Sequence, residues 1–483
     1  MKGKSSAIAK SIEMAIPQQI WALSTAMAEE GVSYNDYVSQ LTYLFFIKMD
    51  EENVALNGAQ SRFPEGLRWH DLMNTEGKKI VSFYDKMLHK LSRQKGNVGI
   101  VFCKARNLIV NPDRLKELIA LVNSVNWSKL NRGMNGKAYE YLLESNSLER
   151  RSTGGQFFTP RSLISAIIDV MRPQLGETVC DPACGTGGFL VSAVNFMQQY
   201  VTNDEQRKQL ICDTIYGYDN TPTVVSMGAL NLFLHGMRGP RCSIQLHDSL
   251  VKEPERLFDV VLSNPPFGTR SGNTVTTKRH DFYVKTKNNQ LNFLQHVMLL
   301  LSPGGRAAVV MPDNVLFESG AGVQLRRELL YHFNLHTILR LPVGIFYAPG
   351  VKANVLFFNR EGPTTETWFY DYRSGIKHTL SGSPLQREHF DDFVACYNPQ
   401  DIKARSETYN AVSNPLGRWR RFTLDEIEMR DKLNLDISWV NDDKEHAYSL
   451  QELIDNMQEE NDAIAQAIRD IRLMAAQIKK EDF

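Results

Sequence analysis

The chain has 483 residues, too many for one ordinary core, and its 42% apolar and 10% aromatic content supplies material for two or three. Lys+Arg and Asp+Glu balance at 55 each, so the chain lacks the basic excess of a protein that grips nucleic acid unaided, and phosphate attraction would need a local basic face or a partner. Six scattered cysteines exclude a disulfide framework and complete no metal set, and no apolar run approaches the roughly 20 residues that span a bilayer, so a soluble, cytoplasmic protein without a membrane segment is expected.

Residues 1–150 read as a helical domain. Tyr37, Leu41, Leu44, Phe45 and Lys48 recur at three- and four-residue spacings behind Ser33, a candidate N-cap. Helical pattern returns around Phe83–Leu91 and Pro112–Val125, and none of these segments carries a catalytic constellation. A docking or clamping role is expected there. The polar, glycine-bearing stretch Ser147–Gly155 marks a boundary.

From 151 to 365 the pattern changes to short β-branched runs alternating with helical segments. Glu177–Cys180, Thr214–Tyr218, Ser243–Leu246, Phe258–Leu262, Arg306–Met311, His336–Leu341 and Ala353–Asn359 are the expected strands. This alternation predicts an α/β fold, a mostly parallel sheet with helices on both faces and ligands beyond the C-terminal strand ends. Residues 366–448 read as an irregular extension, with Trp419 and Trp439 as core. A C-terminal amphipathic helix is expected over 449–483, lined by Leu453, Met457, Ile464, Ile468, Ile471, Ala475 and Ile478. It suits either its own domain or a partner.

Four motifs carry chemistry. In Val179-Cys-Asp-Pro-Ala-Cys-Gly-Thr-Gly-Gly-Phe-Leu190 a strand enters a turn with Gly185, Thr186, Gly187 and Gly188, and a helix follows. Glycines let the backbone approach a ligand that a Cβ would exclude. The third glycine of the dinucleotide fingerprint is missing, and Asp181 suits a cationic amino-acid moiety better than a pyrophosphate. About 30 residues on, Asp219 ends the next expected strand, where a carboxylate can accept both ribose hydroxyls.

The sharpest motif is Asn264-Pro265-Pro266-Phe267 after the run Phe258–Leu262. An aromatic amine is a poor nucleophile because its lone pair is delocalised. The Asn264 side-chain oxygen and the Pro265 carbonyl could accept its two hydrogens and aim the lone pair at a methyl donor. The prolines stiffen the loop and Phe267 would stack on the base. A sulfonium methyl is already activated, so positioning and electrostatics could carry its transfer. A base within a duplex would have to be flipped out. The fourth motif, Gly155-Gln156-Phe157-Phe158-Thr159-Pro160-Arg161, precedes the helix expected over Leu163–Met171, with Thr159 as its cap and Pro160 in its first turn.

With these residues in this order, the chain resembles the DNA amino-methyltransferases and, more fully, the modification (HsdM) subunits of Type I restriction-modification systems. Gly31–Val38, Val310–Phe317, Leu341–Phe346 and Gly350–Phe357 extend the resemblance over nearly the whole chain. It implies a Rossmann-like methyltransferase sheet using S-adenosyl-L-methionine, an N-terminal helical domain and a C-terminal helical tail. By resemblance, Gln156, Phe157, Phe158, Thr159, Pro160 and Arg161, with Asp181, Gly185, Thr186, Gly187, Gly188 and Asp219, match the cofactor site, and Asn264, Pro265, Pro266 and Phe267 the adenine site. Asp248, at the end of the third expected strand, is a candidate contact to the cofactor's adenine.

The resemblance further implies double-stranded DNA as substrate and two copies of the chain joined to one specificity (S) subunit, to which a restriction (R) subunit can add. In that family the helical front clamps DNA and the tail meets the specificity subunit, which agrees with the neutral charge. Cys184 stands where a smaller residue is common. The residues alone leave a glutamine-directed protein methyltransferase, a base-modifying RNA enzyme and an inactive scaffold as alternatives. The Phe-Thr-Pro-Arg segment and the large helical front weigh against the first, and intact Gly185, Asp219 and Asn264 against the last.

Overall fold

The computed structural model describes residues 33–58, 60–124, 127, 136, 139–140, 143, 159–268, 279–346, 351–376, 378 and 383–440. The expected C-terminal helix and Gln156–Phe158 lie outside them. The chain divides into two compact units, Met1–Asn146 with Ala183–Asp248, and Ser147–Pro182 with Ser249–Phe483.

In the first unit, α1 (Tyr34–Asn57) starts where Ser33 accepts a hydrogen bond from the Asp36 backbone N–H at 3.2 Å, and ends at Gly58 in the left-handed region, φ 61°. Its residues Tyr37, Leu41, Leu44 and Phe45 are buried, as their spacing predicts. α2 (Lys79–Leu91) and α3 (Pro112–Ser124) fall on the two expected helical stretches. Asn123 ties α3 to α1 and to Trp69, its Oδ1 accepting from Lys48 Nζ and Trp69 Nε1, each at 3.0 Å.

The same unit holds α5 (Gly188–Gln198) and α6 (Pro222–Leu234), with the parallel strands β2 (Ile215–Asp219) and β3 (Ile244–Leu246). α6 is the reason the helical front and this segment share one core. Every residue from Val224 to Leu234 is buried, so the helix has no solvent face. Phe233 packs edge-on against Phe46 of α1, ring centroids 5.0 Å apart, and Met227, Ala229, Leu230 and Leu234 join the same cluster.

In the second unit the strands β1 (Val179–Asp181), β4 (Phe258–Ser263), β5 (Leu301–Pro312), β7 (Ala353–Asn359), β6 (Asn334–Arg340), β8 (Glu366–Asp371) and β9 (Trp419–Thr423) lie side by side in that order. β1, β4 and β5 are parallel, β7 runs antiparallel to both β5 and β6, β8 is parallel to β6, and β9 antiparallel to β8. The unit is thus mostly parallel, as expected: β1, β4, β5, β6 and β8 share one sense, and among the described strands β7, inserted between β5 and β6, and the edge strand β9 run against it. Ala353–Phe358 is buried without interruption, as an interior strand covered on both faces requires. α4 (Arg161–Met171), α7 (Asn289–Leu300) and α8 (Ala321–His332) complete it.

Residues 366–448, read as irregular, supply β8 and β9 and the helix Asp391–Tyr397. The alternation was masked because β9, Trp-Arg-Arg-Phe-Thr, carries the charges of an edge strand. Arg421 pairs across to Glu366 at 3.1 Å, and Trp419, fully buried, stacks on Trp368 at 5.2 Å. Trp439 is half-buried and donates its indole N–H to the Gly417 carbonyl. No described helix is long and apolar enough to cross a membrane.

Candidate methyl-transfer site

In the first unit the glycine turn leads into α5. Gly185 and Gly187 sit at φ 54° and 82°, where a side chain would be strained. The Cys184 N–H donates to the Tyr218 carbonyl at 2.9 Å, which sets the turn beside the tip of β2. Asp219, at that tip, accepts from the Gly185 N–H at 3.2 Å and from the Thr221 N–H at 2.8 Å. Burial raises its carboxyl above the ordinary aspartate value, and these backbone donors partly offset the rise. Gly188 opens α5, and Asp248 is half-buried two positions beyond β3.

Two residues that sequence reasoning passed over hold this turn. Asn231 of α6 is fully buried and donates its side-chain amide to the Thr186 carbonyl at 2.9 Å. Gly228, one turn earlier, lets the helix approach: a Cβ there would lie 2.9 Å from the Gly185 carbonyl oxygen and 2.6 Å from Ile244 Cδ1. The signal was a glycine and an asparagine within a largely apolar helix, each of which needs a local reason.

In the second unit Asp181 ends β1, is 1% exposed, and accepts the Ser263 hydroxyl at 2.8 Å. Ser263 closes β4, so this bond ties the tips of two neighbouring strands where the Asn264 loop begins. Pro265 is buried, and Asn264, Pro266 and Phe267 are half-buried. The far end of the loop is also held. The Gly268 N–H donates to Gln290 Oε1 at 3.0 Å, and the Asn289 N–H to the Gly268 carbonyl at 3.2 Å. Gln290 was not foreseen, being 22 residues downstream and inside a helix.

Thr159 corrects one expectation. Pro160 (φ −53°, ψ 135°) is the N-cap of α4, which begins at Arg161 rather than 163, and no side chain caps it. Thr159 therefore stands one position too early to reach the first-turn N–H groups. Its hydroxyl accepts instead from Asn264 Nδ2 at 2.8 Å.

The residues suit a cationic nucleoside-bearing cofactor. In the first unit Asp219 is a buried acceptor at a strand tip, of the kind that ribose hydroxyls can meet, and among the described residues no atom lies within 4 Å of the position a Cβ on Gly185 would take; in the second unit Asp181 is a buried carboxylate at the end of β1.

Comparison with known proteins agrees with this chemistry. The N-6 DNA Methylase family model matches residues 131–446, and the HsdM N-terminal domain model matches 16–122. The Type I restriction enzyme StySPI methylase subunit of Salmonella potsdam is 36% identical over 470 residues, covering 88% of this chain and 87% of that protein. The EcoKI methylase subunit of Escherichia coli K12 is likewise 36% identical, with the same coverage. A chain from a solved type I R-M system superposes with a TM-score of 0.73 at 26% identity, covering 96% of this chain and 98% of that one. This chain belongs to the N-6 DNA methylase family and, within it, to the methylase subunits of Type I restriction enzymes.

Proposed function

We propose that this chain transfers a methyl group from S-adenosyl-L-methionine to the N6 amino group of adenine in double-stranded DNA. The observation that carries the reading is the Asn264–Phe267 loop, anchored at one end through Ser263 to Asp181 and at the other through Gly268 to Gln290. Such anchoring holds two carbonyl acceptors still, which is what a weak amine nucleophile needs. Asn264 Oδ1 and the Pro265 carbonyl accept the two amine hydrogens, and Phe267 stacks on the flipped base. The cofactor supplies the activated methyl. Asp219 receives its ribose, Gly185–Gly188 make room for it, Asp181 faces its ammonium end, Asp248 its adenine, and Gln156–Arg161 contact its methionine part.

The partners follow from the family and from charge. A neutral chain whose motifs all serve chemistry leaves sequence reading to a separate specificity subunit. Two copies of this chain with one specificity subunit form the working methyltransferase in the cytoplasm, and a restriction subunit adds to it. The helical front contributes to gripping the duplex and the C-terminal tail to the specificity subunit.

The test uses the purified chain with labelled S-adenosyl-L-methionine and unmethylated genomic DNA, with and without the specificity subunit encoded beside it. Label is expected as N6-methyladenine only with the partner, and is lost in Asn264→Ala. Cofactor binding without label in DNA under either condition would refute the assignment.

A further inference from the structure

We infer that one face of the first unit, centred on α2, is a surface for the phosphate backbone of duplex DNA, gripping it without regard to sequence. The inference rests on the reading of DNA as the substrate and adds where this chain holds it. Its basis is the way a chain of zero formal charge distributes its charges. Residues 33–77 carry seven Asp and Glu against three Lys and Arg. Residues 78–106 carry eight Lys and Arg against a single acid, Asp85. All eight of these cations are exposed, and among the described residues none is held in an ion pair. Like charges gathered on one surface repel one another, so the cluster is stabilised only when a counter-charge lies over it.

The helix arranges the cations. Lys79, Lys86 and Lys90, seven and four residues apart, fall on one side of α2, and Arg93 and Lys95 follow just beyond its end. Ile80, Tyr84, Met87, Leu88 and Leu91 turn another side into the core. At a rise of about 1.5 Å per residue the three lysines extend along roughly 16 Å. A duplex carries roughly ten charges over that length, so each lysine can meet a phosphate of its own. Other occupants fit less well. A protein partner is met through an apolar centre depleted in lysine, and no large apolar side chain is exposed anywhere in residues 78–106. A membrane surface is met by a helix that inserts its apolar side, and that side of α2 is already buried. The face suits a hydrated polyanion.

The experiment uses the complex with its specificity subunit, carrying Lys79→Gln, Lys86→Gln and Lys90→Gln together, beside a second variant with Lys79→Arg, Lys86→Arg and Lys90→Arg. Binding of a labelled random-sequence duplex and of unmethylated genomic fragments is measured across a salt series. Each phosphate contact contributes about 0.9 to the slope of log affinity against log salt concentration, so the Gln variant is expected to lose about 2 to 3 from that slope. Affinity falls by one common factor for both DNAs, and the Arg variant restores it. Cofactor affinity and methyl transfer at saturating DNA stay unchanged. An unaltered slope in the Gln variant, or a loss confined to one of the two DNAs, would overturn the inference. So would failure of the Gln variant to assemble with the specificity subunit, which would assign the face to that protein. If the unaltered complex binds duplex but forms no N6-methyladenine, the proposed chemistry fails and the salt slope still decides this inference. If it binds no duplex, both fail.

Discussion

Asn231 and Thr186 are joined by one hydrogen bond, the buried side-chain amide of α6 donating to a carbonyl of the glycine turn at 2.9 Å. The bond makes the apolar helix at the centre of the first unit a support for the turn. Replacing Asn231 by Ala leaves the Thr186 carbonyl without this donor, a change that costs about 1–3 kcal/mol when the group is buried. The expected outcome is S-adenosyl-L-methionine binding weakened about tenfold, in proportion to that energy, by isothermal titration calorimetry. Unchanged affinity would show that the turn keeps its shape unaided.

Gly228→Ala tests the close approach of the same helix. The new methyl would meet the Gly185 carbonyl oxygen at 2.9 Å and Ile244 Cδ1 at 2.6 Å, so either the helix or the turn must move. Overpacking of this kind costs about 1–3 kcal/mol. Denaturant unfolding should report that loss, and cofactor affinity should fall with it. A stable variant that binds normally would show that Ile244 alone gives way.

Asp219 predicts a pH dependence. Burial raises its carboxyl above 3.8, while the backbone N–H groups of Thr221 and Gly185 pull the other way. Ribose hydroxyls donate to the ionised form, so cofactor affinity should be complete near neutrality and decline as pH falls through the raised value, above 3.8. Folding carries the opposite sign. A raised carboxyl contributes stability that is full below 3.8 and fades as pH rises through the folded value. Asp219→Asn should bind weakly and show no such acid decline in calorimetry across the pH range. A decline that persists in the variant would place its origin elsewhere.

The guanidinium of Arg373, from the segment after β8, makes five hydrogen bonds: Nη1 and Nη2 to Asp313 at 2.7 and 2.9 Å, Nη2 also to the Ala353 carbonyl and Asn354 Oδ1, and Nε to the Leu341 carbonyl. It therefore binds the exits of β5 and β6 to the entrance of β7. Lysine keeps the charge but not the fork. Arg373→Lys should lower unfolding stability by about 1–3 kcal/mol, and its cost together with Asp313→Asn should be less than the sum, since both break one network. Strict additivity would show that the two side chains act independently.

Much of this was legible in the chain itself. Short β-branched runs located seven strands within a few residues, because buried strands need β-branched and aromatic side chains wherever they lie. Ser33 announced α1 because capping is decided within one turn. The turn at Gly185–Gly187 was readable because a left-handed backbone demands glycine.

Long-range choices were not legible. Pattern marks a residue as buried without saying which surface buries it, so the sharing of one core by α6 and the helical front waited for the tertiary structure. The edge strand β9 reads as polar because its charges blunt an open edge, and only its pairing with β8 reveals it. Side-chain hydrogen bonds across the fold are hidden for the same reason. Local spacing made Thr159 a helix cap, whereas folding brought Asn264 within 2.8 Å of its hydroxyl from 105 residues away. Sequence determines what each group can donate, accept or bury, and tertiary structure decides which of the available partners it meets.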